Sequence, residues 1–96
     1  MSLLNEQPNP VTGTGDVWAE VLATTSHPGL RALFQERRGQ GIDRYGTTLQ
    51  RDNGRDHYAD AVQELVDAVV YLQAARMMWA RRMVEGTLLR LLKEER

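Results

Sequence analysis

The sequence predicts an all-α protein: a helical bundle subunit with one long central helix, completed by homo-oligomerisation. Three observations point there. On a helical wheel, Ala61, Val62, Leu65, Val66, Val69 and Leu72 fall within one broad arc, while Asp56, Asp60, Glu64, Asp67 and Tyr71 lie opposite. The flanking segments carry helix start and stop signals around apolar residues at helical spacing. The chain has 96 residues, and a domain so short buries only about 60% of the surface its unfolded chain exposes. Pairing with a second copy, as a homodimer or homotetramer, would add to that burial.

Composition narrows the class. Twelve basic and 13 acidic side chains leave a formal charge of -1, and 42% hydrophobic with 26% charged content suits one small soluble domain. Nucleic-acid binding has no global charge to support it, so only local asymmetry can carry a charge argument. There is no cysteine, which removes disulfides and Cys-ligated zinc. No segment approaches the roughly 18 apolar residues of a membrane span, and the first residues lack the basic-then-apolar pattern of a secretory signal. A cytoplasmic protein without a membrane partner is expected.

Residues 1–14 read as a flexible or loosely docked arm, with Pro8, Pro10 and Gly13 among polar residues, and Met1 to Leu4 have the look of a partial leader. Residues 15–96 read as a single all-helical domain. Asp16 is the N-cap of a short helix in which Val17, Trp18, Val21 and Leu22 recur, ending before Thr24, Thr25 and Ser26. Ser26 ahead of His27 and Pro28 signals a second helix with Leu30, Leu33 and Phe34 as its apolar stripe, and Gly39 and Gly41 are expected to stop it. From Gly39 to Gly54 the chain reads as an ordered loop with short turns.

The amphipathic third helix begins at Asn53 or Asp56. Arg76 lands in its apolar arc, while Met77, Val84, Leu88 and Leu91 lie on a different side, so the helix must bend, break or change partner near Gln73 to Arg76. Gly86 is a second weak point before a terminal amphipathic helix, Leu88 to Arg96. Trp18, Met77, Met78, Trp79 and Met83 read as packing or subunit-contact residues. A basic amphipathic surface between Met77 and Leu92 ranks below self-association, because Glu85, Glu94 and Glu95 dilute its charge.

The ordinary reading of Asp60, Glu64 and Asp67 is a solvated helix face. Two features argue for more. Surface faces usually mix signs, yet residues 56–75 contain no Lys or Arg. Spacings of four and three set the carboxylates on adjacent turns, where oxygens can converge on Mg2+, with Mn2+ as a substitute. Preceding them, Arg37, Arg38, Arg44, Arg51 and Arg55 are interspersed with four glycines, and arginine forks with exposed backbone N–H groups suit phosphate. His57 reads as exposed or capping. Tyr45 and Tyr71 are candidates for stacking on a base, although tyrosines at packing edges are more common.

The run Arg44-Tyr45-Gly46-Thr47-Thr48-Leu49, then Asn53-Gly54-Arg55-Asp56, Asp60 to Asp67 and Tyr71-Leu72 resembles the short, phage-associated MazG-like proteins of the all-α nucleoside triphosphate pyrophosphohydrolase superfamily. The resemblance spans roughly Arg37 to Leu72. It implies hydrolysis of a nucleoside or deoxynucleoside triphosphate between the α and β phosphates, dependent on Mg2+. It also implies Glu64 and Asp67 as metal ligands, with Asp60 one turn earlier as a further ligand and Glu64 doubling as the base that orients water. Arg37, Arg44 and Arg55 would hold phosphates. Where the superfamily has three glutamates in an E-E-x-x-E pattern on the preceding helix, this chain offers Glu36. Asp56 or acids of a second subunit are the alternatives for completing that side. The competing reading is a non-catalytic helical module that binds nucleotide or a protein partner.

Overall fold

The computed structural model describes residues 3–94. Among them are four helices and one two-stranded sheet, and the chain divides into two compact units, one of Asn9–Gly54 and one of the residues up to Pro8 together with those from Arg55 onward. The mainly helical class is as expected. A single long central helix is not distinguished, since two helices have 18 residues each.

The Asn9–Gly54 unit contains β1 (Thr14–Asp16), α1 (Val17–Thr24), α2 (Pro28–Tyr45) and β2 (Gln50–Arg51). The strands pair antiparallel, Thr14 with Arg51 and Asp16 with Gln50, with an irregularity between these pairs. Val11 N–H donates to Asn53 O at 2.8 Å and Val17 N–H to Leu49 O at 3.0 Å, continuing the pairing at both ends. A side chain at Gly13 could not fit, because its Cβ would stand 2.3 Å from the Arg51 carbonyl oxygen. Strands of three and two residues are too short for the alternation that would reveal them in the sequence.

Asp16 caps α1 as expected, its carboxylate accepting from Ala19 N–H at 3.2 Å. At the other end Arg31 donates to the Leu22 and Thr25 carbonyls, satisfying acceptors that the helix leaves open. Trp18 packs against Phe34 with ring centroids 6.2 Å apart, tilted by 51°, which joins α1 to α2.

The start of α2 is set by His27 instead of Ser26: His27 Nδ1 accepts from the N–H groups of Gly29 and Leu30, and Pro28 occupies the first helical turn. The expected stop at Gly39 and Gly41 does not occur. A helical glycine costs about 1 kcal/mol relative to alanine but keeps its N–H and C=O, so the hydrogen-bond ladder passes through. What ends α2 is Gly46 at φ 76°, whose N–H returns to Ile42 O at 2.7 Å. Much of the segment read as loop is therefore helix.

In the second unit Asp56, not Asn53, caps α3 (His57–Ala74), accepting from Ala59 N–H at 3.1 Å. The expected break falls where the apolar register shifts: Arg76 adopts φ 59°, Met77 N–H returns to Leu72 O at 2.9 Å, and α4 (Met78–Lys93) follows. The bond spanning five residues is the Schellman pattern. Gly86 does not interrupt α4. The two helices are joined by Tyr58, whose hydroxyl donates to Leu91 O at 2.6 Å, and by Arg81, which donates to Gln73 Oε1 at 2.6 Å and lies 3.3 Å from Glu85. Ala59 and Val62, on one side of α3, are the buried apolar residues among those described.

The arm expected at residues 1–14 is held in place where described. Residues 3–8 lie against the start of α3, while β1 belongs to the other unit. Met1 and Ser2 of the leader reading, and Glu95 and Arg96 of the terminal helix reading, lie outside the described residues.

Candidate functional site

The acidic side of α3 forms as the periodicity implies. Asp60 sits in its first turn, and Glu64 and Asp67 follow at one-turn intervals. Glu64 and Asp67 are exposed and carry no hydrogen bond or ion pair among the described residues. Tyr71, one turn further on, is 72% exposed.

Asp60 differs from them. Arg55 forks onto it, Nε to Oδ2 at 3.0 Å and Nη2 to Oδ1 at 2.8 Å, with both side chains about a quarter exposed (26% and 27%). The hydrogen bond to Asp60 raises the Arg55 pKa further, and the attraction of the carboxylate adds to it against the opposing effect of burial. Arg55 Nη1 donates in addition to Pro8 O at 2.8 Å. The resemblance implies phosphate for Arg55 and metal for Asp60; the structure pairs them with each other. Spacing alone could not reveal this, because Arg55 precedes the helix.

The other sequence-predicted residues belong to the Asn9–Gly54 unit. Glu36, Arg37, Arg44 and Tyr45 are all exposed on α2. Arg37 donates to Gln40 Oε1 at 2.9 Å, and the Arg44 guanidinium lies 5.3 Å from the centre of the Tyr45 ring, a cation–π arrangement. Neither arginine has an ion pair among the described residues. Their basic neighbours are engaged: Arg38 pairs with Asp16 at 3.2 Å and Arg51 with Glu20 at 2.6 Å. Asp52 accepts from the Thr14 hydroxyl at 3.1 Å.

Among the described residues no group of three or more His, Asp or Glu side chains is arranged to hold a metal ion. The donor chemistry on α3 nevertheless suits Mg2+, which binds through one or two carboxylates and takes its remaining ligands from water and substrate phosphates.

His57 is neither cap nor exposed: it is partly buried, with Nε2 enclosed and without a hydrogen-bond partner among the described residues. The Gln63 side-chain amide donates to Leu3 O at 2.9 Å and Asn5 O at 3.1 Å. No periodic signal marks a glutamine that binds main-chain carbonyls about 60 positions away.

No helix is long and apolar enough to cross a membrane among the described residues. Comparison with protein-family models, with curated proteins and with solved structures finds no match for this chain.

Proposed function

We propose that this protein is a Mg2+-dependent nucleoside or deoxynucleoside triphosphate pyrophosphohydrolase that acts as a homo-oligomer in the cytoplasm and releases a monophosphate and pyrophosphate. The observation that carries the reading is the pair Glu64 and Asp67, exposed and uncompensated one turn apart on a capped helix. Leaving two like charges so placed costs a few tenths of a kcal/mol, which a cation would reverse.

In this reading Glu64 and Asp67 hold the cation, with Asp60 as a further ligand. Bound there, Mg2+ would supply charge neutralisation on the phosphates. Glu64 orients the attacking water and accepts its proton, Arg55 contacts the non-transferring phosphates, and Tyr71 offers a ring for the base. Arg37, Arg44 and Tyr45, with Glu36, belong to the Asn9–Gly54 unit, and their phosphate, base and metal roles rest on the resemblance alone. Val70, Trp79 and Met83 are 64%, 67% and 65% exposed, apolar side chains of the kind that contact with a second copy would cover.

The second reading, a non-catalytic module that binds nucleotide or a partner, is favoured by one observation: Asp60 is already paired with Arg55. The experiment is incubation with a panel of ribo- and deoxynucleoside triphosphates with Mg2+ or Mn2+, measuring pyrophosphate and orthophosphate separately. EDTA-sensitive pyrophosphate release that Glu64→Gln abolishes in a folded protein is expected. Turnover unchanged in that variant would remove the acidic helix from the mechanism. Stabilisation by nucleotide and metal without turnover would establish the second reading.

A further inference from the structure

Arg55 serves two acceptors at once, the Asp60 carboxylate and the Pro8 carbonyl. The same stretch of chain is fastened at three more points: Asp56 N–H donates to Gln7 Oε1 at 3.1 Å, and Gln63 Nε2 to Leu3 O and Asn5 O. Residues 3–8 thus form a strap, and these four bonds reach Arg55, Asp56 and Gln63. Asp60 sits within that interval, on the acidic side of the helix.

The Asp56 and Gln63 anchors join neutral groups, so their donors gain little by exchanging one acceptor for another. Arg55 is different. A guanidinium fork binds phosphate in the same bidentate geometry as carboxylate, and a triphosphate carries several negative charges against the single charge of Asp60. Drawing Arg55 away breaks its fork to Asp60 and its bond to Pro8 in one movement.

We propose that Arg55 is a latch: its guanidinium passes from Asp60 and Pro8 to an incoming triphosphate, which frees the Asp60 carboxylate and, by removing the one charged anchor, loosens the hold of residues 3–8 on α3. This rests on reading the acidic face as a triphosphate site, and adds its regulation. It also resolves the conflict at Asp60, which is ion-paired while the strap is closed and becomes a ligand for the accompanying cation once it opens. By linkage, whatever weakens the strap tightens triphosphate binding by the same factor.

The test uses the full chain, inorganic triphosphate with Mg2+, and sodium chloride controls at matched ionic strength. The heteronuclear NOE of amides in residues 3–7 reports the strap, and calorimetry reports binding. Triphosphate should lower the NOE of these amides while the salt control does not. Gln63→Ala removes two strap bonds without touching Arg55 or Asp60, and should tighten triphosphate binding about two- to tenfold, the range expected for one or two modest hydrogen bonds. If triphosphate binds but the strap NOE is unchanged and Gln63→Ala has wild-type affinity, the latch is refuted and the pyrophosphohydrolase reading stands. If triphosphate binds neither protein, both fall.

Discussion

Replacing Gly39 and Gly41 by alanine should stabilise the Asn9–Gly54 unit. Both glycines lie inside α2, neither has positive φ, and a Cβ built on either meets nothing within 4 Å. The substitution therefore adds no clash, and only the helix-propensity difference remains, about 0.8–1.0 kcal/mol at each position. Residues two apart on a helix do not face each other, so the effects should add to about 2 kcal/mol. At about 2.1 cal/mol/K of unfolding entropy per residue over Asn9–Gly54, that corresponds to a rise of roughly 20 °C in melting temperature. Trp18 reports on the unit through its contact with Phe34, and thermal unfolding followed by its fluorescence in a Trp79→Phe background isolates the signal. Gly46→Ala is the control: at φ 76° an alanine is strained, and should destabilise by about 1 kcal/mol or more. A pair of helical glycine variants no more stable than wild type would refute the reasoning, because α2 would then not extend through these residues in solution.

Two further outcomes follow from single contacts. Tyr58→Phe removes the hydroxyl that donates to Leu91 O and should cost about 1 kcal/mol in urea unfolding of the α3–α4 hairpin, with an unchanged dependence on denaturant. At Asp16, burial acts to raise the pKa, but hydrogen bonds from Ala19 N–H, Arg38 and Thr48 outweigh it and hold the carboxyl below its ordinary value. With the folded pKa depressed, its stabilising effect is present above the ordinary aspartate value, about 3.9, and is lost as pH falls through the lower folded value. Circular dichroism should show this loss of α1 in acid, and Asp16→Asn should abolish the pH dependence.

The legible parts of this fold were those encoded by short-range chemistry. Asp16, Pro28 and Asp56 announce helix starts because a side-chain acceptor or a fixed φ acts on the next few residues. The α3–α4 break was legible as a change of apolar register at Arg76. Gly39 and Gly41 misled because a glycine ends a helix only where the backbone turns left-handed, and composition does not distinguish them from Gly46, which does turn. At the site, the acidic arc of Asp60, Glu64 and Asp67 followed from periodicity. The fork of Arg55 onto Asp60 and the grip of Gln63 on residues 3–8 did not, since both depend on where a non-periodic segment docks.

The joint between α3 and α4 places an arginine where the left-handed turn would favour glycine. Holding Arg76 at φ 59° costs about 1–2 kcal/mol of backbone strain. In return it brings a fixed positive charge to the C-terminal end of α3, where the aligned peptide dipoles leave about half a negative charge, an attraction of about 0.3–1 kcal/mol at low ionic strength. Stereochemistry and electrostatics thus oppose each other at one residue, and only the electrostatic part responds to dissolved ions. The hairpin therefore contains a small element of salt sensitivity: added electrolyte screens the attraction and leaves the strain intact, so the joint is firmest in dilute solution.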